Sequence, residues 1–247
     1  MSGHSKWANI KNKKAKTDAA KGKIFTKIGR EIAVAAKAGA DPATNSKLAD
    51  VIAKAKAANM PNDNIKRSIM KATGELGNVN YENLTYEGYG IGGSAVIVAT
   101  LTENKNRTVG EVRHIFDKYG GSLGTANSVS FMFENRGVIV FERTPDMDED
   151  SIMELALEAG ADDVIPSEDV FEIRTAPSAF SAVRKFFEER GYSFVEASVE
   201  MVPNDKITLN EDQLVTFNKM LDAFEDNDDV QDIYHNVDIP EDEDDED

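Results

Sequence analysis

Few residues in this chain have the type and spacing needed for bond-making chemistry. The three histidines, His4, His114 and His235, lie far apart, and none pairs at the H-x-x-x-H interval of a helical zinc site. Cysteine is absent, which excludes disulfides, thiolate metal sites and a cysteine nucleophile. No serine is read as the nucleophile of a strand–turn–helix elbow. Acids are so abundant, 45 of 247 residues, that an apparent carboxylate pair has no diagnostic weight. The glycine run Gly88-Tyr89-Gly90-Ile91-Gly92-Gly93 invites comparison with phosphate cradles. A P-loop requires Lys and then Ser or Thr after its last glycine, whereas Ser94-Ala95 follows here. A dinucleotide fingerprint opens a helix, whereas this run leads into a strand pattern, so a turn is expected. Neither an enzyme reaction, a cofactor, a metal nor a small-molecule substrate is expected.

Charge is the stronger signal. Residues 1–72 carry sixteen Lys or Arg against five Asp or Glu, a net of +11, while the remaining residues carry twelve against forty, a net of −28. Such polarity suggests a basic module joined to an acidic body. The Debye length is about 8 Å at physiological salt, so the local charge of a contact surface decides whether it meets a polyanion. The candidate nucleic-acid contacts are Lys6, Trp7, Lys11, Lys13, Lys14, Lys16, Lys21, Lys23, Lys27 and Arg30, joined by Lys66, Arg67 and Lys71. Arg67 and Lys71 stand one helical turn apart. Lysine suits phosphates, and only two arginines occur in this third of the chain, which argues against extensive base reading in a major groove. Trp7, flanked by lysines, could stack on an exposed base or pack on its own domain.

The elements that must position these groups follow from periodicity. Residues 1–16 hold too little apolar surface to offset the entropy of ordering, so a mobile arm is expected. Ile24, Ile28, Ile32 and Ala35 mark a first helix, Leu48, Val51, Ile52 and Ala55 a second, and Ile65, Ile69 and Ala72 a third. Three short helices bury their stripes only against one another, which predicts a small bundle. Gly77 to Gly93 reads as a polar linker running into a turn. Beyond it, strands are expected at Ser94–Leu101, Val129–Phe133, Val138–Phe141, near Val164, Phe171–Thr175, Val195–Met201, Ile207–Leu209 and Val230–His235. In the second of these Val129, Phe131 and Phe133 share one face, and a tight Asn-Arg-Gly turn follows. Helices carry Val112, Ile115 and Phe116; Ile152, Leu155 and Ala156; Phe180, Val183 and Phe187; and Leu214, Phe217, Leu221 and Phe224. Eight strands and four helices make two βαββαβ units, in tandem or one nested in the other, and periodicity fits both. No apolar stretch exceeds five residues (Ala95 to Ala99), against about 20 for a membrane helix, and no secretory signal opens the chain. The expected compartment is the cytoplasm. The last seven residues, Glu241 to Asp247, are all acidic and are expected to be solvated.

Several segments resemble the YebC/PmpR family of bacterial regulators. They are Gly3-His4-Ser5-Lys6-Trp7-Ala8-Asn9-Ile10, Gly22-Lys23-Ile24-Phe25-Thr26-Lys27, Arg30-Glu31-Ile32, Asn64-Ile65-Lys66-Arg67, Tyr86-Glu87-Gly88-Tyr89-Gly90, Asn104-Lys105-Asn106-Arg107-Thr108 and Ser128-Val129-Ser130-Phe131-Met132-Phe133. Ile91 stands where the family usually has proline, and Asn127 where glycine is common. The resemblance implies an α+β multidomain fold: a small N-terminal helical bundle followed by two α+β (ferredoxin-like βαββαβ) domains, the third inserted in the second. The implied boundaries are 1–76, 77–136 plus 203–240, and 137–202, with 241–247 as an acidic tail. It further implies a nucleic-acid-binding regulator: a DNA-binding transcriptional regulator, or alternatively a ribosome-binding translation factor that holds ribosomal RNA. The acidic domains are then left to meet the ribosome or the transcription machinery.

Overall fold

The computed structural model describes residues 18–74 and 80–240. The first helices follow from apolar stripes bounded by local breakers. Helix α1 (Asp18–Ala36) buries Ile28, Ile32, Ala35 and Ala36 against Leu48 and Ala55 of α2 (Ser46–Ala57) and Ile65 of α3 (Asn62–Ala72). Ile24 was expected on this face but is exposed; the buried run begins at Ile28, and Phe25 packs at its edge. Asn45 joins two helices. Its side-chain carbonyl accepts the Leu48 amide of α2, and its amide donates to the carbonyls of Ala35 and Gly39 at the end of α1. Pro61, without an N–H to satisfy, starts α3. At Gly29 a Cβ would lie 3.0 Å from the Ser68 hydroxyl, so the glycine lets α1 and α3 approach closely.

These helices belong to one compact unit with a first antiparallel sheet of order β3-β1-β2-β8. Its strands are β1 (Glu82–Tyr89), β2 (Ala95–Thr102), β3 (Ser122–Leu123) and β8 (Val230–His235), and α4 (Lys105–Lys118) and α7 (Glu211–Glu225) pack on it. Phe116 of α4 meets Phe224 of α7 edge to face, ring centres 5.1 Å apart, over a core that includes Val112, Phe217 and Met220. An Asn210–Gln213 capping box starts α7.

The second unit, residues 134–202, is built on a sheet of order β5-β6-β4-β7. It comprises β4 (Phe133–Glu142), α5 (Glu149–Ala159), β5 (Asp163–Pro166), β6 (Val170–Thr175), α6 (Phe180–Glu189) and β7 (Glu196–Pro203), connected βαββαβ. Ile139, Phe141, Phe171 and Ile173 face Ile152, Val183 and Phe187 of the helices; Val138, Val140 and Val170 form a smaller cluster with Val195 and Val202. The chain leaves the first sheet after β3, builds the second, and returns to add β8 beside β2. The fold is therefore a helical N-terminal region followed by two α+β domains, one inserted in the other.

Three elements differ from the periodicity reading. The expected linker contains β1, an interior strand paired from Glu82↔Thr102 to Tyr89↔Ala95 on one side and to β3 on the other. Its glycine hid it: at Gly88 a Cβ would lie 2.5 Å from the Ser122 carbonyl and 2.9 Å from the Phe116 ring, so close approach, and no turn, requires glycine there. The expected Asn-Arg-Gly turn is instead part of β4, where a Cβ on Gly137 would strike Thr175 and Phe180. Ser130–Met132 forms a short helical turn before β4, and Ile207 makes only an isolated parallel bridge to Val237.

Candidate nucleic-acid interface

Lys6, Trp7, Lys11, Lys13, Lys14 and Lys16 lie outside the described residues, and Lys21 lies on α1 with its side chain outside them. The other candidate cations fall into two groups. Lys23, Lys27 and Arg30, on one face of α1, are engaged by the end of α7 and the turn after it. Lys23 Nζ is 2.7 Å from Asp226 Oδ1, and Lys27 Nζ donates to the Glu225 carbonyl at 2.9 Å. A cation beside the last carbonyls of a helix is favourably placed for the macrodipole. On α3, by contrast, Lys66, Arg67 and Lys71 are exposed and form no ion pair among the described residues. Lys47 and Lys56 of α2 are exposed as well; the sequence reading passed over them because they lie outside the two basic clusters.

Arg30 belongs to a buried centre that sequence reasoning missed. Its Nη1 lies 2.8 Å from Asp229 Oδ1, 2.8 Å from the Asp228 carbonyl and 3.1 Å from the Leu101 carbonyl. The other carboxylate oxygen accepts from Arg107 Nη2 at 2.7 Å and from the hydroxyls of Thr108 and Thr102 at 2.8 and 3.0 Å. The Asp229 side chain is only 3% exposed. Burial alone would raise its pKa, but the bonds from Arg107, Thr108, Arg30 and Thr102 prevail and hold the carboxyl at about 2, below its ordinary 3.8. Asp229 thus ties α1, β2, α4 and the turn before β8 together. Nearby, burial raises the pKa of Glu31 despite its 3.0 Å pair with Lys54, and Asp232 pushes in the same direction. In the sequence Asp229 was one acid in the run Glu225 to Asp229, and nothing set it apart.

A second buried carboxylate organises a loop. Glu87 of β1 accepts the amides of Asn127 (2.9 Å), Val129 (2.9 Å) and Ser130 (2.8 Å). Burial opposes ionisation, yet these amides hold its pKa below the ordinary carboxylate range. The Tyr89 hydroxyl donates to the Ser128 carbonyl at 3.1 Å. Asn127 sits at φ 64°, the left-handed region where glycine is at ease and asparagine is tolerated. Val129 and Phe133 turn inward as expected, but the helical turn between them swings Phe131 out to 71% exposure.

The described residues offer no catalytic or metal alternative. Gly120-Gly121-Ser122-Leu123-Gly124 does spell G-x-S-x-G, which corrects the expectation that no serine fits the pattern. Here, however, a helix precedes the serine and a strand holds it, the reverse of the strand–turn–helix that exposes a nucleophile. No group of three His, Cys, Asp or Glu is placed to hold a metal ion, and no helix is long and apolar enough to cross a membrane, among the described residues.

Both arms of this arrangement recur in known proteins. The model of the TACO1/YebC N-terminal domain matches residues 5–75, and that of the TACO1/YebC second and third domain matches residues 81–237. The chain belongs to the TACO1/YebC family. A probable transcriptional regulatory protein of Acetivibrio thermocellus is 60% identical over 238 residues, 96% of this chain and 98% of that one. One of the same description from Thermoanaerobacter pseudethanolicus is 55% identical over the full length of both chains. A conserved hypothetical protein of Aquifex aeolicus, solved as a crystal structure, superposes with a TM-score of 0.82 at 41% identity, covering 92% of this chain and 94% of that one. The family is one of regulators, not enzymes. The Asp229 centre draws on two of the motifs that carried the resemblance, Arg30-Glu31-Ile32 and Asn104 to Thr108, and the Phe131 loop draws on two more.

Proposed function

We propose that this member of the TACO1/YebC family is a DNA-binding transcriptional regulator that holds the duplex mainly by its phosphates, through residues 1–76. In this reading the 77–136 plus 203–240 domain and the 137–202 insertion carry contacts to other proteins, since their net charge repels a polyanion. The observation that carries it is the contrast within the basic region. Lys23, Lys27 and Arg30 are engaged inside the chain, whereas Lys66, Arg67 and Lys71 project from α3 with no internal partner among the described residues. The relatives' designation as probable transcriptional regulatory proteins supports the same reading. A second reading, a translation factor that holds ribosomal RNA, is favoured by a specific point. Of the two arginines in the basic third, Arg30 is bonded to Asp229, which leaves Arg67 alone for bidentate base recognition.

A salt titration on duplex DNA tests the proposal. Replacing Lys66, Arg67 and Lys71 by glutamine removes three phosphate contacts, so the slope of log affinity against log salt becomes shallower by about 2.7. Replacing Lys11, Lys13, Lys14 and Lys16 flattens it by about 3.6 on the same arithmetic. The loss is equal across unrelated DNA sequences, because phosphates carry no sequence information. Unchanged slopes in both variants refute phosphate binding by this region, and tighter binding to ribosomal RNA than to duplex DNA selects the second reading.

A further inference from the structure

The Phe131 loop is built for contact. A surface phenylalanine alone needs no explanation. This one stands at 71% exposure on a loop whose backbone is fixed by a buried carboxylate taking three amides, by the Gly124 amide on the Glu87 carbonyl and by the Tyr89 hydroxyl on the Ser128 carbonyl. Close packing adds to this, because a Cβ on Gly124 would meet Ser128 and the Glu87 carbonyl. A ring held out on a fixed loop loses little entropy on binding, the property of an anchoring side chain. Residues 119–133 contain no charged residue, although 30% of the chain is charged. Within an acidic domain, the loop is thus a local gap in the charge that repels phosphates. The ring's neighbours in sequence are small groups, Thr125, Asn127, Ser128 and Ser130, able to hydrogen-bond a base edge. The only other large exposed side chain tied to this loop is a second ring, Tyr89, at 38% exposure. An apolar protein-docking patch has a different make-up, with contiguous aliphatic surface.

We infer that Phe131, displayed by the Glu87-organised loop, is a stacking site for an unpaired base of a single-stranded nucleic acid. The inference rests on the nucleic-acid reading above and deepens it: phosphates are held by the helical region, and a base extruded from or never in a duplex is held by the first α+β domain. Both belong to one compact unit. Stacking accepts any base, because every base has a π face, so the site reads strandedness and not sequence. Glu87 is a positioning residue here, acting only through the loop it fixes.

The test uses the full chain with three probes: a single-stranded RNA, a single-stranded DNA of the same sequence, each carrying 2-aminopurine, and the matching DNA duplex. Phe131→Ala weakens single-strand binding roughly 5- to 150-fold, leaves the duplex unaffected and abolishes the quenching of 2-aminopurine that stacking causes. Phe131→Trp retains both affinity and quenching. The RNA and DNA arms identify which single strand the site prefers. Because the ring is exposed, neither substitution disturbs the core. Single-strand affinity and quenching that are unchanged in Phe131→Ala, while the α3 triple variant loses binding, overturn this inference and leave the proposed function standing. A wild-type chain that binds none of the three probes overturns the proposed function and this inference together. Photocrosslinking from position 131 only to protein in cells overturns the inference in favour of a docking loop.

Discussion

Replacing Asp229 by asparagine tests whether one buried carboxylate holds the helical region on the first sheet. The substitution conserves shape, and its single carbonyl oxygen is best kept where Oδ2 was, facing Arg107, Thr102 and Thr108. The new NH2 group then faces the Arg30 guanidinium across the former 2.8 Å contact, a donor against a donor, with the cation left uncompensated. The preference of the native site for the ionised form follows from the fall of the pKa from 3.8 to about 2. That is about 2 kcal/mol, and leaving a buried cation unpaired raises the expected loss toward 3–5 kcal/mol. The pH dependence has a definite sign. Because the folded-state pKa is depressed, the stabilisation is complete above the ordinary carboxyl range and is lost as pH falls through about 2. Wild type therefore loses about 1 kcal/mol of it between pH 7 and pH 3, and the gap to Asp229→Asn narrows by that amount. Urea unfolding followed by circular dichroism at the two pH values measures this. A variant as stable as wild type at pH 7, or a gap that fails to narrow at pH 3, refutes the account of Asp229 as the ionised hub of this corner.

Further outcomes follow from the same contacts. Arg30→Lys fails to restore the corner and loses about 2–4 kcal/mol in urea unfolding, because one ammonium does not reproduce a planar group set against Asp229, the Asp228 carbonyl and the Leu101 carbonyl. Lys23→Gln, at an exposed pair with Asp226, changes stability by less than about 1 kcal/mol in the same assay. In Glu87→Gln one neutral oxygen replaces two charged ones for three amides, so hydrogen exchange at Asn127, Val129 and Ser130 accelerates, corresponding to a loss of about 1–3 kcal/mol. Gly88→Ala forces its methyl against the Ser122 carbonyl and the Phe116 ring and costs about 1–3 kcal/mol by thermal unfolding.

Much of the architecture was legible because it rests on local periodicity. The stripes of Ile28, Ile32 and Ala35, of Leu48 and Ala55, and of Val112, Ile115 and Phe116 bury the faces they mark. The charge polarity of the chain likewise needed no coordinates. What the sequence left undetermined were features set by partners distant along the chain. Glycines 88 and 137 looked like turns, yet each is there because a neighbouring strand or ring comes too close for a Cβ, and that neighbour lies more than thirty residues away. Phe131 had the alternation of a core residue until a helical turn, held by Glu87, rotated it outward. Lysines 23 and 27 and Arg30 carried the same charge as Lys66 and Arg67, and only the return of the chain after the insertion brought Asp226 to Asp229 against the first group. Periodicity records which face of an element avoids water, and composition records which charges are present. Which charge meets which, and which ring is left in the open, depends on contacts between segments as much as two hundred residues apart, and those exist only once the chain has folded.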